Sequence, residues 1–233
     1  MSPSITIRPP REDEPRTAVE IRDVRIPPVG LAGILRYPRE AGAIIVFAHG
    51  SGSSRFSPRN TAVAEGLNAN GFGTLLFDLL TLEEEADRAN VFNIALLADR
   101  LVDAIHWLDR ESPVRRRAFG LFGASTGAAA ALAAAARLGD RIGAVVSRGG
   151  RPDLADEILD QVRTPTLLIV GSVDYGVIEL NERALSRLKG PKALEIIPRA
   201  SHLFPEPGTL EAVIDHAARW FACHLGASPP QAE

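Results

Sequence analysis

The feature that most limits the possible folds is a series of short, uninterrupted apolar segments that run into glycine, serine, aspartate or arginine. Strands buried on both faces of a parallel sheet have this pattern, whereas half-exposed strands alternate apolar and polar residues. Residues 18–26 and 31–37 do alternate, which predicts an antiparallel start to the sheet. The continuous segments are residues 43–50 (AIIVFAHG), 73–80 (GTLLFDLL), 118–125 (AFGLFGAS), 142–149 (IGAVVSRG), 165–174 (PTLLIVGSVD) and 193–200 (ALEIIPRA).

Helical spacing of apolar residues separates several of these segments. It predicts helices over Asn90–Arg110, Thr126–Leu138 and Glu211–Leu225. Alternating strands and helices with an antiparallel start indicate an α/β fold, a three-layer sandwich around a mostly parallel sheet. We expect one domain over residues 1–233, with its core at about 18–225 and loose ends rich in proline and charge. Ligands in such sheets bind at the carboxyl ends of the strands.

Composition and charge narrow the class of protein. The net charge of −3, from 26 basic and 29 acidic residues, gives no sign of a nucleic-acid partner. The single cysteine, Cys223, excludes an internal disulfide and a cysteine metal cage. The uncharged stretch 118–136 is too rich in small residues for a membrane span, and the N-terminus lacks the apolar run of a signal peptide. A cytoplasmic protein without a membrane partner is therefore expected.

A Gly-x-Ser-x-Gly motif follows one predicted strand and precedes a predicted helix. It comprises residues 123–127, with Ser125 at its centre. A nucleophile elbow needs this context, because the serine takes a positive φ that lifts its hydroxyl clear of the sheet. The residues two before and two after the serine then crowd together, which favours Gly123 and Gly127. The alternative is an ordinary tight turn in which Ser125 caps the helix.

A serine nucleophile needs a base and an acid that orients the base. His202 lies in a loop after the last predicted strand, and Asp174 ends the strand before it. The order Ser125, Asp174, His202 is the chain order of nucleophile, acid and base in hydrolases with this motif. Two alternatives for the acid stay open: Asp174 could cap the next helix, and Asp153 also follows a strand end.

The loop of small residues after the segment 43–48 is the candidate oxyanion hole. It begins with His49 and Gly50, which are also candidates for contacting substrate, although His49 is as easily a structural residue that shapes the loop. One N–H donor should come from Thr126, directly after the nucleophile, and the other from Ser51. A phosphate-binding loop is the alternative, but the G-x-x-x-x-G-K-[ST] pattern is missing.

Two arginines follow strand ends and are further candidates for substrate binding. Arg55 comes after the small-residue loop, and Arg148 leaves the segment 142–149. Either could hold a carboxylate or phosphate with two hydrogen bonds. The alternative is that each pairs with a local acid such as Asp153 or Glu83.

Together, the motif 123–127, Asp174, His202 and the His49-Gly50 loop resemble the α/β-hydrolase superfamily. The resemblance covers about residues 18–225 and is closest to the dienelactone-hydrolase-like branch. Dienelactone hydrolases use a cysteine nucleophile where this chain has Ser125, so the lactone substrate does not carry over. The resemblance implies a serine hydrolase that needs no cofactor and no metal.

The expected activity is cleavage of a small ester or related acyl substrate through an acyl-enzyme. The 17 residues from Arg148 to Thr164 hold only one short predicted helix, Leu154–Gln161, so no cap domain is expected over the site. A non-catalytic binding module of the same fold, an acyltransferase and a thioesterase are the alternatives. A small acyl substrate is the expected partner, and the sequence leaves monomer and homodimer open.

Overall fold

The computed structural model describes residues 19–111 and 117–226. In these residues eight strands form one sheet in the order β1-β2-β4-β3-β5-β6-β7-β8. The pairs β1–β2 and β2–β4 are antiparallel, and all later pairs are parallel. The strands are β1 (Val19–Ile26), β2 (Leu31–Pro38), β3 (Ala43–Ala48), β4 (Gly73–Phe77), β5 (Ala118–Ala124), β6 (Ile142–Arg148), β7 (Thr166–Gly171) and β8 (Lys192–Ile197).

Helices cover both faces of the sheet, as the predicted three-layer sandwich requires. They are α1 (Pro58–Ala69), α2 (Leu82–Ala86), α3 (Arg88–Val91), α4 (Ile94–Leu108), α5 (Thr126–Leu138), α6 (Tyr175–Arg187) and α7 (Thr209–Leu225). Helices α1 and α7 pack on one face, and α4, α5 and α6 on the other. Between β6 and β7 the chain forms only a 3-10 helical segment, Pro152–Gln161, so no cap domain is inserted there.

Each face of the sheet has its own apolar core. The small residues of α5 allow that helix to pack close to the sheet. The rings of Phe47 and Phe122 stack 4.9 Å apart beneath α1 and α7. On the opposite face, Ala128–Ala131 are fully buried. Stretch 118–136 is thus divided between β5 and α5. In the described ranges, no helix combines the length and apolar character needed to cross a bilayer.

Three predicted elements differ in detail. The predicted helix 90–110 is broken, because the Asn93 side chain accepts the Leu96 N–H at 3.1 Å and starts α4 anew at Ile94. Strand β8 is partly exposed rather than buried on both faces, because it is the last strand in the sheet order. The short helix predicted over 154–161 is a 3-10 segment kinked at Ala155.

Candidate active site

Ser125 has the strained backbone expected of a nucleophile elbow. It lies between β5 and α5 with φ 51° and ψ −121°, and its side chain makes no capping hydrogen bond to α5. The capping alternative is therefore wrong. Its N–H donates to the Arg148 carbonyl at 3.2 Å, and its carbonyl accepts the N–H groups of Ala128 and Arg151, each at 3.1 Å. These three bonds hold a conformation that an L-residue rarely adopts.

The crowding that the motif predicts is present on both sides of the serine. A Cβ on Gly123 would lie 2.7 Å from the Ala128 nitrogen, and one on Gly127 would lie 2.6 Å from the His49 carbonyl oxygen. Gly50 approaches the serine itself, since its Cβ would lie 3.1 Å from the Ser125 Cβ. At Gly123 and Gly127 the neighbouring atoms belong to the backbone, so a larger residue at either position would push β3, β5 and α5 apart.

The predicted base and acid are joined by a hydrogen bond. His202 Nδ1 lies 2.6 Å from Asp174 Oδ2, and because the carboxylate can only accept, Nδ1 carries the proton. Asp174 directly precedes α6, and its side chain makes no capping hydrogen bond to that helix. Asp153, the other candidate acid, instead accepts two bonds from Arg151 at 2.8 and 2.7 Å. Of the two carboxylates, the one that orients His202 is thus Asp174.

The backbone of Gly149 connects the serine to the histidine. Gly149 has φ 52°, and a Cβ there would lie 3.1 Å from the His202 carbonyl oxygen and 3.5 Å from its ring. The preceding residue, Arg148, accepts the Ser125 N–H. Across the described residues, no hydrogen bond joins the Ser125 hydroxyl to His202. Such bonds are often long in enzymes without substrate.

The loop that carries His202 is fixed by residues that the sequence reasoning missed. The Glu206 carboxylate accepts the Ser201 N–H at 3.1 Å, and hydrogen bonding to Ser201 lowers the pKa of Glu206. The Phe204 side chain is 2% exposed and anchors the loop in the core. The only sequence signal for this contact is that Glu206 stands between two prolines, four residues after His202.

The predicted oxyanion loop lies over the start of α5, tied by a bond that the sequence did not suggest. The Ser51 N–H donates to the Thr126 Oγ1 at 2.9 Å, so in this structure that N–H already has an acceptor. The Thr126 N–H, at the first position of α5, has no acceptor within its own helix. The oxyanion roles of Ser51 and Thr126 stay predictions.

His49 has a structural role in the described contacts. Its Nε2 accepts the Leu79 N–H at 3.1 Å, so the proton lies on Nδ1, which is 3.0 Å from the Gly50 carbonyl oxygen. Burial lowers the pKa of His49 and keeps the ring neutral. The ring thereby ties the loop after β3 to the end of β4.

The two candidate arginines have different surroundings. Arg55 pairs with Asp78, through its guanidinium and through its backbone N–H at 2.8 Å. The expectation that Arg55 pairs with an acid is thus confirmed, but the acid is Asp78 and neither of the suggested partners, Asp153 and Glu83. Arg148 meets no carboxylate in the described part of the chain and donates only to Asn60 Oδ1, at 3.2 Å.

A cavity of about 690 Å³ opens beside the serine, on the side of the oxyanion loop. Gly50, Ser51 and Thr126 line it, and so do Arg55 and Asp78. Neither Ser125 nor His202 lines it, so the cavity lies next to the candidate catalytic residues and does not enclose them. Residues 19–111 and 117–226 contain no group of three or more histidine, cysteine or acidic side chains that could hold a metal ion.

The sheet order, the strained serine after β5 and the open strand ends define an α/β-hydrolase fold. A crystal structure of dienelactone hydrolase from Anabaena variabilis is 52% identical to this chain, covers 89% of it and 98% of that protein, and superimposes with a TM-score of 0.85. An esterase from Pyrococcus furiosus, 18% identical over 97% of this chain and 100% of its own, shares the fold with a TM-score of 0.72. No protein-family model matches the chain.

The chain is also similar to curated proteins from two strains of Mycobacterium tuberculosis, each provisionally named a phosphoribosyl transferase. The identity is 57% over 198 residues, which is 85% of this chain. The chain spans about half the length of these relatives, since the match covers 45% of theirs. Because it is 52% identical to the Anabaena enzyme over nearly the whole of that protein, the chain belongs to the dienelactone-hydrolase-like branch of the α/β-hydrolase superfamily. The dienelactone hydrolase, at 52% identity, supports a hydrolase as the class of enzyme, whereas the Pyrococcus esterase shows the fold alone.

Proposed function

We propose that this chain is a serine hydrolase that cleaves a small carboxylic ester or related acyl substrate. The observation that carries the proposal is the hydrogen bond of 2.6 Å between His202 and Asp174, at the same edge of the sheet as the strained Ser125. An acid, a base and a nucleophile from three strand ends have no common structural purpose, since none of them caps a helix or closes an ion pair with an arginine.

The proposed reaction begins with attack of the Ser125 Oγ on the acyl carbonyl carbon. His202 Nε2 takes the hydroxyl proton, while Asp174 stabilises the imidazolium through Nδ1–H. The negative carbonyl oxygen is held by the Thr126 N–H and by the Ser51 N–H, which must first turn from Thr126 Oγ1. His202 then protonates the leaving alcohol as its bond to the acyl carbon breaks.

Water completes the cycle. His202 Nε2 takes a proton from a water molecule while the water oxygen attacks the acyl carbon. It then gives that proton to the Ser125 Oγ as the bond between Oγ and the acyl carbon breaks and the free acid leaves. The absence of an inserted cap between β6 and β7, together with a His202 side chain that is 36% exposed, favours access for water and for small substrates.

Fluorophosphonate labelling tests this proposal, with the modified peptide located by mass spectrometry. We expect label on Ser125, none in Ser125→Ala, and labelling slowed about 100-fold or more in His202→Gln because the base is lost. His106→Gln is the matched control, since this histidine is exposed on α4. A folded sample that takes up no label would contradict the proposal and favour a non-catalytic binding module.

An ester screen then separates hydrolysis from acyl transfer. If water is the acceptor, added alcohols or amines leave the yield of free acid unchanged. Product diverted to the added acceptor would identify an acyltransferase instead. The phosphoribosyl transferase name of the Mycobacterium proteins does not enter the proposal, because the match covers 45% of those proteins.

A further inference from the structure

A buried guanidinium without an acid lies next to the candidate active site. Arg148 is 6% exposed, and its Nη1 is buried with no hydrogen-bond partner among residues 19–111 and 117–226. Its Nη2 donates to Asn60 Oδ1, a neutral acceptor. Because arginine keeps its charge and is rarely buried unpaired, this arrangement is unfavourable in the absence of a ligand.

A second cation increases this charge. Arg59 precedes Asn60 in α1, and its Nε is also buried without a partner in the described part of the chain. No carboxylate of the described residues forms an ion pair with Arg59 or with Arg148. Desolvation by burial and, second, the charge of Arg59 lower the pKa of Arg148 to about 10.

The helix that brings these groups together adds a third positive feature. Asn60 belongs to the first turn of α1, a helix of 12 residues that begins at Pro58. The N-terminus of a helix carries partial positive charge and favours anions. Two guanidinium groups therefore meet beside this helix N-terminus, where the described residues supply two neutral groups, the Asn60 amide and the Ser57 hydroxyl that accepts the Asn60 N–H at 3.4 Å.

We propose that Arg148, Arg59 and the first turn of α1 form a subsite for an anionic group, a carboxylate or a phosphate. The subsite adjoins the reacting residues, because the Arg148 carbonyl accepts the Ser125 N–H and the next residue, Gly149, lies against His202. The anion is part of the substrate or a free inorganic ion. The first of these two sources rests on the proposed hydrolase function.

Thermal unfolding in increasing inorganic phosphate, at constant ionic strength, tests for the subsite. The protein used is Ser125→Ala, so that the result does not depend on catalysis. We expect the Tm to rise by about 5–10 °C near a hundredfold excess over Kd. Adding Arg148→Met should abolish that rise and increase the Tm measured without phosphate, because it removes the buried charge at nearly constant volume.

The matched control is Arg55→Met, because Arg55 is already paired with Asp78 and should not affect the response to phosphate. A Tm that does not respond to phosphate, or a response that survives Arg148→Met, would overturn the proposal. So would a lower Tm of Arg148→Met without phosphate, which indicates a purely structural arginine. If that variant does not fold, Arg59→Met decides: its phosphate response must fall.

Kinetics on the chain with Ser125 intact distinguish the two sources of the anion. If the anion is part of the substrate, Arg148→Met raises KM for a dicarboxylic acid monoester by about 10- to 100-fold. The uncharged diester of the same acid keeps its KM. If the anion is free, both esters respond equally to the substitution, and phosphate still raises the Tm.

Discussion

The substitution Gly127→Ala tests whether the close approach of α5 to β3 holds the elbow in place. A Cβ at this position would lie 2.6 Å from the His49 carbonyl oxygen and 2.6 Å from the Ala48 carbonyl carbon. Ordinary contacts between such atoms need about 1 Å more. Since both neighbours are backbone, no side chain can rotate away, and the start of α5 must move as a whole.

The expected cost is at the upper end of the range for overpacked sites, about 3 kcal/mol in the free energy of unfolding. For a chain of 233 residues this corresponds to a Tm lower by roughly 6–12 °C. Movement of α5 also displaces the Thr126 N–H and the Ser125 hydroxyl, so labelling of Ser125 should slow by more than the fraction unfolded explains.

Gly176→Ala is the matched control. It is the same substitution in the first turn of α6, where nothing lies within 4 Å of the new Cβ. It should stabilise the chain by about 0.5 kcal/mol. Urea unfolding gives both free energies, and fluorophosphonate labelling below the transition gives both rates. If Gly127→Ala unfolds and labels like the wild type, the argument that packing holds the elbow is refuted.

Three further predictions are checked by ester hydrolysis or by urea unfolding. Asp174→Asn should reduce ester hydrolysis by about three to four orders of magnitude, whereas Asp153→Asn should leave it within a few-fold; equal losses would contradict the assignment of the acid. Ser147→Ala should raise the free energy of unfolding by about 1 kcal/mol, because the buried Ser147 hydroxyl has no partner in the described residues; destabilisation would reveal a missed acceptor. Because burial lowers the pKa of His49, the folded chain loses stability as pH falls below about 6.5, where the unfolded ring takes up a proton first. His49→Gln should lessen that loss in urea titrations between pH 7 and 5, and an unchanged slope would contradict the neutral ring.

The layers and strands could be predicted from the sequence because a strand that is buried on both faces consists almost entirely of apolar residues. The segment 118–138 is an example, since small residues at 123 and 127 and the alanines after them meet a steric need at each position. The same reasoning reached the pairing of Asp174 with His202, because strand ends converge at one edge of a parallel sheet.

What the sequence did not reveal are contacts between residues far apart in the chain. Nothing near Arg55 in the sequence points to Asp78, and nothing near Arg148 points to Asn60, 88 residues earlier. Likewise, the break before α4 depends on whether one asparagine turns its side chain back to the backbone. Such choices are made by the assembled structure.

The loops after β3, β5, β7 and β8 each contribute a part of the site, and this distribution determines when the site can exist during folding. The Ser125 backbone is held by β5 and β6, but its proposed base, His202, lies on the loop after β8, and the Glu206 carboxylate fixes that loop. A chain interrupted before that point would hold a hydroxyl of ordinary reactivity on a partly formed sheet. During refolding, the reactivity of Ser125 should therefore appear last, and its appearance would show that β8 has joined the sheet.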